Sequence, residues 1–106
     1  MPKYLLEVSY PADGAKGVLK DGGTRRRQVA AALVEGLGGK LETLYFAFGE
    51  TDVFAIVDLP DSSSAAAAAL ALAASGAASS KTTVLITPEE MDQAVKKSTQ
   101  YVPPGR

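Results

Sequence analysis

Apolar and polar positions alternate from the start of the chain. Tyr4, Leu6, Val8 and Tyr10 fall on one side and Lys3, Glu7 and Ser9 on the other, a period of two that predicts a strand over Lys3–Tyr10. Pro11 closes it. Ala15, Val18 and Leu19 then recur at helical spacing within Ala12–Lys20, although Gly14 and Gly17 weaken that tendency. Asp21-Gly22-Gly23 interrupts the run. Thr24 is placed to cap a second helical piece whose buried stripe is Val29, Ala32, Leu33 and Leu37, and Gly38-Gly39 ends it.

Two further apolar runs, Lys40–Phe48 and Asp52–Leu59, flank the short turn Gly49-Glu50-Thr51 and predict a hairpin. Pro60-Asp61 opens an alanine-rich helix that runs to about Ser75, with Gly76 as its stop. A fourth strand is expected over Lys81–Ile86. Thr87-Pro88-Glu89-Glu90 then joins a threonine cap, a proline at the first helical position and a glutamate at the capping-box position. The short helix that follows carries Met91, Ala94 and Val95 at the spacing needed to dock on the body, and residues 99–106 form a tail. The order is βαββαβ plus a short helix, an α+β ferredoxin-like arrangement with strand order 4-1-3-2 in a single domain over residues 1–106.

In such a fold the helices cover one sheet face and water meets the other, so strands should alternate cleanly. Strand three does not: Val53, Ala55, Val57 and Leu59 lie on one face, and Phe54 and Ile56 on the other. Counting by twos gives strand two Leu41, Tyr45 and Ala47 against Leu44, Phe46 and Phe48, and strand four Leu85 against Val84 and Ile86. Each buried Phe or Ile side chain contributes roughly 1.5–3 kcal/mol, so a second covering layer is expected. A second copy, sheet against sheet as in a dimeric α+β barrel, or a trimer with sheets facing inward, meets that need. A C-terminal helix and tail folded over the face within the same chain is the alternative.

Composition narrows the chemistry. The chain has 106 residues and no cysteine or histidine, which excludes disulfides, thiolate nucleophiles, Cys/His zinc sites and a Ser–His–Asp triad. No metal or cofactor is expected, and acid–base work would fall to Asp, Glu, Lys or Tyr. A net charge of −1 argues against nucleic acid or an acidic membrane as a partner. No apolar run reaches membrane-spanning length and no signal-like segment precedes the first strand, so a cytoplasmic location is expected.

Charge is unevenly spread. Lys16, Lys20, Arg25, Arg26 and Arg27 face the single acid Asp21 within residues 16–27, and residues 41–80 contain no base. Lys20, Arg25, Arg26 and Arg27 beside Gly22-Gly23 are therefore a candidate site for phosphate or carboxylate. No Gly-Lys-Ser/Thr follows, so this is not a P-loop. Tyr45 and Asp52 are weaker candidates, as acid and base of a cofactor-free enzyme. Each has a plainer reading, Tyr45 in a core or interface and Asp52 as a turn residue.

Phe46-Ala47-Phe48-Gly49-Glu50-Thr51-Asp52-Val53, continuing to Asp58-Leu59-Pro60-Asp61, resembles the core motif of the GYD domain family, small bacterial proteins named for that turn. Gly38 to Glu42, Gly22-Gly23-Thr24 with Arg26-Arg27, Ala74-Ser75-Gly76, Lys81-Thr82-Thr83 and Leu85 to Glu90 extend the resemblance over nearly the whole chain. Thr51 stands where the family has its naming tyrosine. The resemblance implies a ferredoxin-like fold of the dimeric α+β barrel type and carries no catalytic residue with it. Three functions follow as expectations: an oligomeric domain that binds an acidic small molecule, a cofactor-independent isomerase, decarboxylase or oxygenase, or a purely structural assembly protein.

Overall fold

The computed structural model describes residues 1–106. Strand β1 (Lys3–Ser9) is followed by helix α1 (Ala12–Gly36), the hairpin β2 (Lys40–Phe46) and β3 (Val53–Asp58), helix α2 (Ser62–Ser75), strand β4 (Ser79–Leu85) and helix α3 (Pro88–Val95). The four strands form one antiparallel sheet in the order β2-β3-β1-β4. This is the ferredoxin-like fold that the residue pattern predicts.

Alternation in the two central strands builds the core. Tyr4, Leu6 and Val8 of β1 and Val53, Ala55 and Val57 of β3 are buried beneath the helices, with Leu59, Val34 of α1 and Ala65 of α2. Val34, absent from the expected helical stripe, is among the most buried residues, whereas the expected Ala32 is exposed. The two helical pieces expected on either side of Asp21-Gly22-Gly23 run together as α1, and the break survives as a kink at Gly22, whose φ of 79° leaves the helical region. Asp61 caps α2 by accepting from the Ser64 N–H, and Gly76 ends it in the left-handed conformation. The capping box at Thr87 and Glu90 forms as predicted.

Strand β2 departs from the count by twos. Leu41 pairs with Val57 and Thr43 with Ile56, so Glu42 is an extra residue in a bulge. The bulge returns Leu41, Leu44 and Phe46 to the helix side together and leaves Thr43 and Tyr45 on the open side. Strand β4 begins two residues earlier than expected, at Ser79, and it is an edge strand. Through its register with β1 it puts Lys81, Thr83 and Leu85 on the open face, so that face is apolar only across its middle. Phe54 remains 37% exposed there and Tyr45 71%.

Helix α3 does not dock as its spacing suggested. None of its residues is buried, and Met91 and Val95 are 50% and 73% exposed. The cover in cis considered for the open face is therefore not what the chain does. The radius of gyration is 16.8 Å, against about 13 Å for a compact domain of this length.

At one end of the open face, Lys3 Nζ donates to Asp58 Oδ1 and to Glu42 Oε2, each at 2.9 Å. The hydrogen bond to Asp58, then that to Glu42, raises the Lys3 pKa above its ordinary value. The folded state thus holds this proton more tightly than the unfolded chain does. Its contribution to stability is complete below the ordinary lysine value and is lost as pH rises through the higher folded value. Melting temperatures taken across the alkaline range should show that decline in the wild type, and its absence in Lys3→Met.

A second prediction concerns Gly39. A Cβ there would collide with the Asp58 carbonyl and come within 2.8 Å of Leu59 Cδ2, whereas one at Gly36 meets nothing within 4 Å. In urea denaturation, Gly39→Ala should lose about 1–3 kcal/mol, and Gly36→Ala should gain about 0.4–1 kcal/mol.

Candidate functional site: an apolar cavity with one arginine

A cavity of about 120 Å³ lies between the buried face of the sheet and the helices. Its origin is a run of short side chains. Ala55 of β3, Ala68 of α2 and Ala77 and Ala78 ahead of β4 line it, where longer residues would meet across the layer and close it. Val29, Leu33 and Val34 of α1 form another wall, and the bulge in β2 brings Leu41, Leu44 and Phe46 to it. Seventeen of its nineteen lining residues are hydrophobic; the other two are Arg26 and Ser75.

Arg26 follows the Gly22 kink by about one helical turn. Its side chain is 29% exposed while also lining the cavity, so it links the apolar interior to solvent. The carboxylate paired with it, on Asp21, lies 3.5 Å away, longer than the roughly 2.7–2.9 Å of a strong charge-assisted hydrogen bond. The guanidinium fork therefore keeps donors for another acid. Beside it, the Phe46 ring packs against Gly23, where a Cβ would stand 3.2 Å from the ring edge. Gly23 thus earns its place by letting an aromatic ring lie against α1 at the rim.

The four basic candidates do not converge on one point. Lys20 and Arg25 are exposed, and Arg27 lines shallow surface grooves against β2 with Thr24 and Phe46 on one side and Glu35 and Lys40 on the other. Only Arg26 reaches the cavity. Tyr45 and Asp52 are not assembled as a pair either. Tyr45 sits on the open face opposite Phe54, whereas the Asp52 carboxylate accepts from the Tyr10 N–H at 2.7 Å. The Asp52 backbone joins the same lock, donating to Val8 O and accepting from the Ala47 N–H. Thr51 lies in a polar groove at the sheet end with Glu50, Ser9 and Lys81.

Sequence reasoning did not find the cavity. The signal available was the concentration of alanine at inward positions, which reads equally well as tight packing until the opposing layer is known. No group of three Asp or Glu side chains is arranged to hold a metal ion, and no helix is long and apolar enough to cross a membrane.

No match is found among curated proteins or among solved structures. The family profile of the GYD domain matches residues 4–95, a span that takes in the sheet from Tyr4 on, α1, α2, the cavity and α3. The chain belongs to the GYD domain family.

Proposed function

We propose that this domain binds an acidic small molecule, with the acid group on Arg26 and a compact apolar body in the cavity between helices and sheet. The observation that carries this reading is the lone charged side chain on an otherwise hydrophobic wall. A site built from apolar surface with one convergent polar group orients its ligand by that group. An apolar cavity of about 150 Å³ stays dry and accepts a molecule the size of benzene. At about 120 Å³, this one suits a body of up to about six carbons. A carboxylate at the rim would replace the loose contact with Asp21 and accept both arms of the guanidinium fork. Arg25, Arg27 and Lys20 add a positive field around the entrance and attract the anion without gripping it.

The enzymatic alternative has less behind it. Asp52 is committed to the Tyr10 backbone, and Tyr45 is on the opposite side of the sheet from the cavity. A purely structural role leaves the arginine on the cavity wall with only its loose pairing to Asp21.

Calorimetric titration with hexanoate, isovalerate and benzoate, each beside its neutral amide, tests the reading. At least one acid should bind more tightly than its amide, and Arg26→Met should weaken the acid by about ten- to a hundredfold, the worth of a hydrogen bond to a charged group. Arg25→Ala should have a smaller effect. Ala68→Phe, which fills the cavity, should abolish binding while the circular dichroism stays native. Acids that bind no better than amides, or equal binding by Arg26→Met, would refute the proposal.

A further inference from the structure

The cavity runs out to the end of the sheet marked by Ser9, Phe46, Val53 and Ser79. Tyr10, Phe46, Ala77 and Ala78 line it there, and Phe46 and Arg26 are both on its wall and partly in solvent. The first piece of α1, from Ala12 to Asp21, lies across that end. At its start Gly14 is buried so closely that a Cβ would collide with the Ala77 carbonyl, just ahead of β4, and stand 3.1 Å from the Tyr10 ring. Just past its other end, Gly23 lies against the Phe46 ring of β2. Strands β4 and β2 are the two edges of the sheet. Nine helical steps of about 1.5 Å cover about 14 Å, and three strand spacings of about 4.8 Å come to the same span. The piece is thus a crossbar from edge to edge. Beyond the Gly22 kink the helix turns to run along the strands, toward the cluster in which Val34 meets Val57 and Leu59.

None of residues 12–25 lines the cavity, so the crossbar passes over its end without filling it. Leu19 is 87% exposed, and a Cβ on Gly17 would meet nothing within 4 Å. The side-chain ion pair that holds the crossbar is Asp21 with Arg26, at 3.5 Å. Residues five apart point about 140° away from each other in an unbroken helix. The kink at Gly22, with φ 79° and ψ 167°, is a backbone state that glycine adopts and other residues avoid, and it brings this carboxylate round to the guanidinium.

We infer that the crossbar is a lid over the cavity, with Gly22 as its hinge and the pairing of Asp21 with Arg26 as its catch. The inference rests on the binding of an acid at Arg26 proposed above. An arriving carboxylate takes the guanidinium and Asp21 is released. The crossbar then turns about Gly22 until Leu19 covers the apolar body of the ligand. The catch is weak enough to yield, since an ion pair this exposed contributes at most about fivefold to an equilibrium. Closure is driven by Leu19, an apolar side chain that meets water in the free protein and apolar surface in the complex.

Calorimetric titration of the full-length chain is the test, with whichever of hexanoate, isovalerate and benzoate binds the wild type best. Leu19→Ser should weaken binding about tenfold, the lower end of what burying a leucine contributes. The same change should leave the melting temperature of the free protein unaltered, because Leu19 is exposed there. Asp21→Asn should tighten binding about two- to fivefold, and that gain should vanish beside Arg26→Met. A Leu19→Ser chain that binds as the wild type does would overturn the lid and leave the acid site standing. A gain from Asp21→Asn that persists beside Arg26→Met would mark plain charge repulsion and overturn the catch, as would no gain at all. If neither the wild type nor Asp21→Asn binds any of the three acids, the proposed function falls and the lid falls with it.

Discussion

Strand alternation governs this molecule, because each residue of β1 and β3 is assigned to one face and the two faces have different company. The inner set, from Tyr4 and Leu6 to Val57, meets the helices and is buried. The outer set, Leu5, Phe54 and Ile56 among it, meets no second layer in the chain. A slip of one residue in either strand would exchange the sets, so the pairing of Leu6 with Ala55 fixes both the core and the surface left over. The salt-bridged Lys3 and the locked Asp52 stand at opposite ends of these strands and hold the same register.

The helix layer shows what happens when inward residues are too small to fill the space assigned to them. Alanine at Ala55, Ala68 and Ala78 keeps the backbone layers from meeting through side chains, and the core divides into a cluster around Val57 and Leu59 and a smaller one around Val8 and Val53. The cavity runs beside both. In a domain with only 12 of its 106 residues buried, a void of this size removes packing contacts from an already small core. The proposed ligand and the expected second copy would act on opposite sides of one sheet, and either would restore contacts that the isolated chain lacks.

Much of this was legible in the residues. The alternation of β1 and β3, the glycine stop of α2 and the capping box of α3 depend on neighbours in sequence, and each formed where expected. The misreadings concern features set by distant partners. The Glu42 bulge arises from the pairing of β2 with β3, so counting by twos along β2 put Leu41 with Tyr45 when the fold puts it with Leu44. The polar start of β4 at Ser79 and Ser80 becomes a strand only because β1 offers hydrogen-bonding partners. The spacing of Met91 and Val95 identified an amphipathic face but not the surface it would find. At the candidate site, the basic cluster was visible and the placement of Arg26 alone on the cavity wall was not, since only the turn of α1 beyond Gly22 separates it from Arg25 and Arg27.

The strand pattern leads to one expectation beyond the single chain: the apolar middle of the outer face of β1 and β3, uncovered within the chain, is covered by a second copy. Isotope-filtered nuclear Overhauser spectroscopy on a mixture of labelled and unlabelled chains reads this directly, since it records only contacts between copies. Cross-peaks between copies are expected for the methyl groups of Leu5 and Ile56. A spectrum in which those methyls show contacts only within their own chain would contradict it.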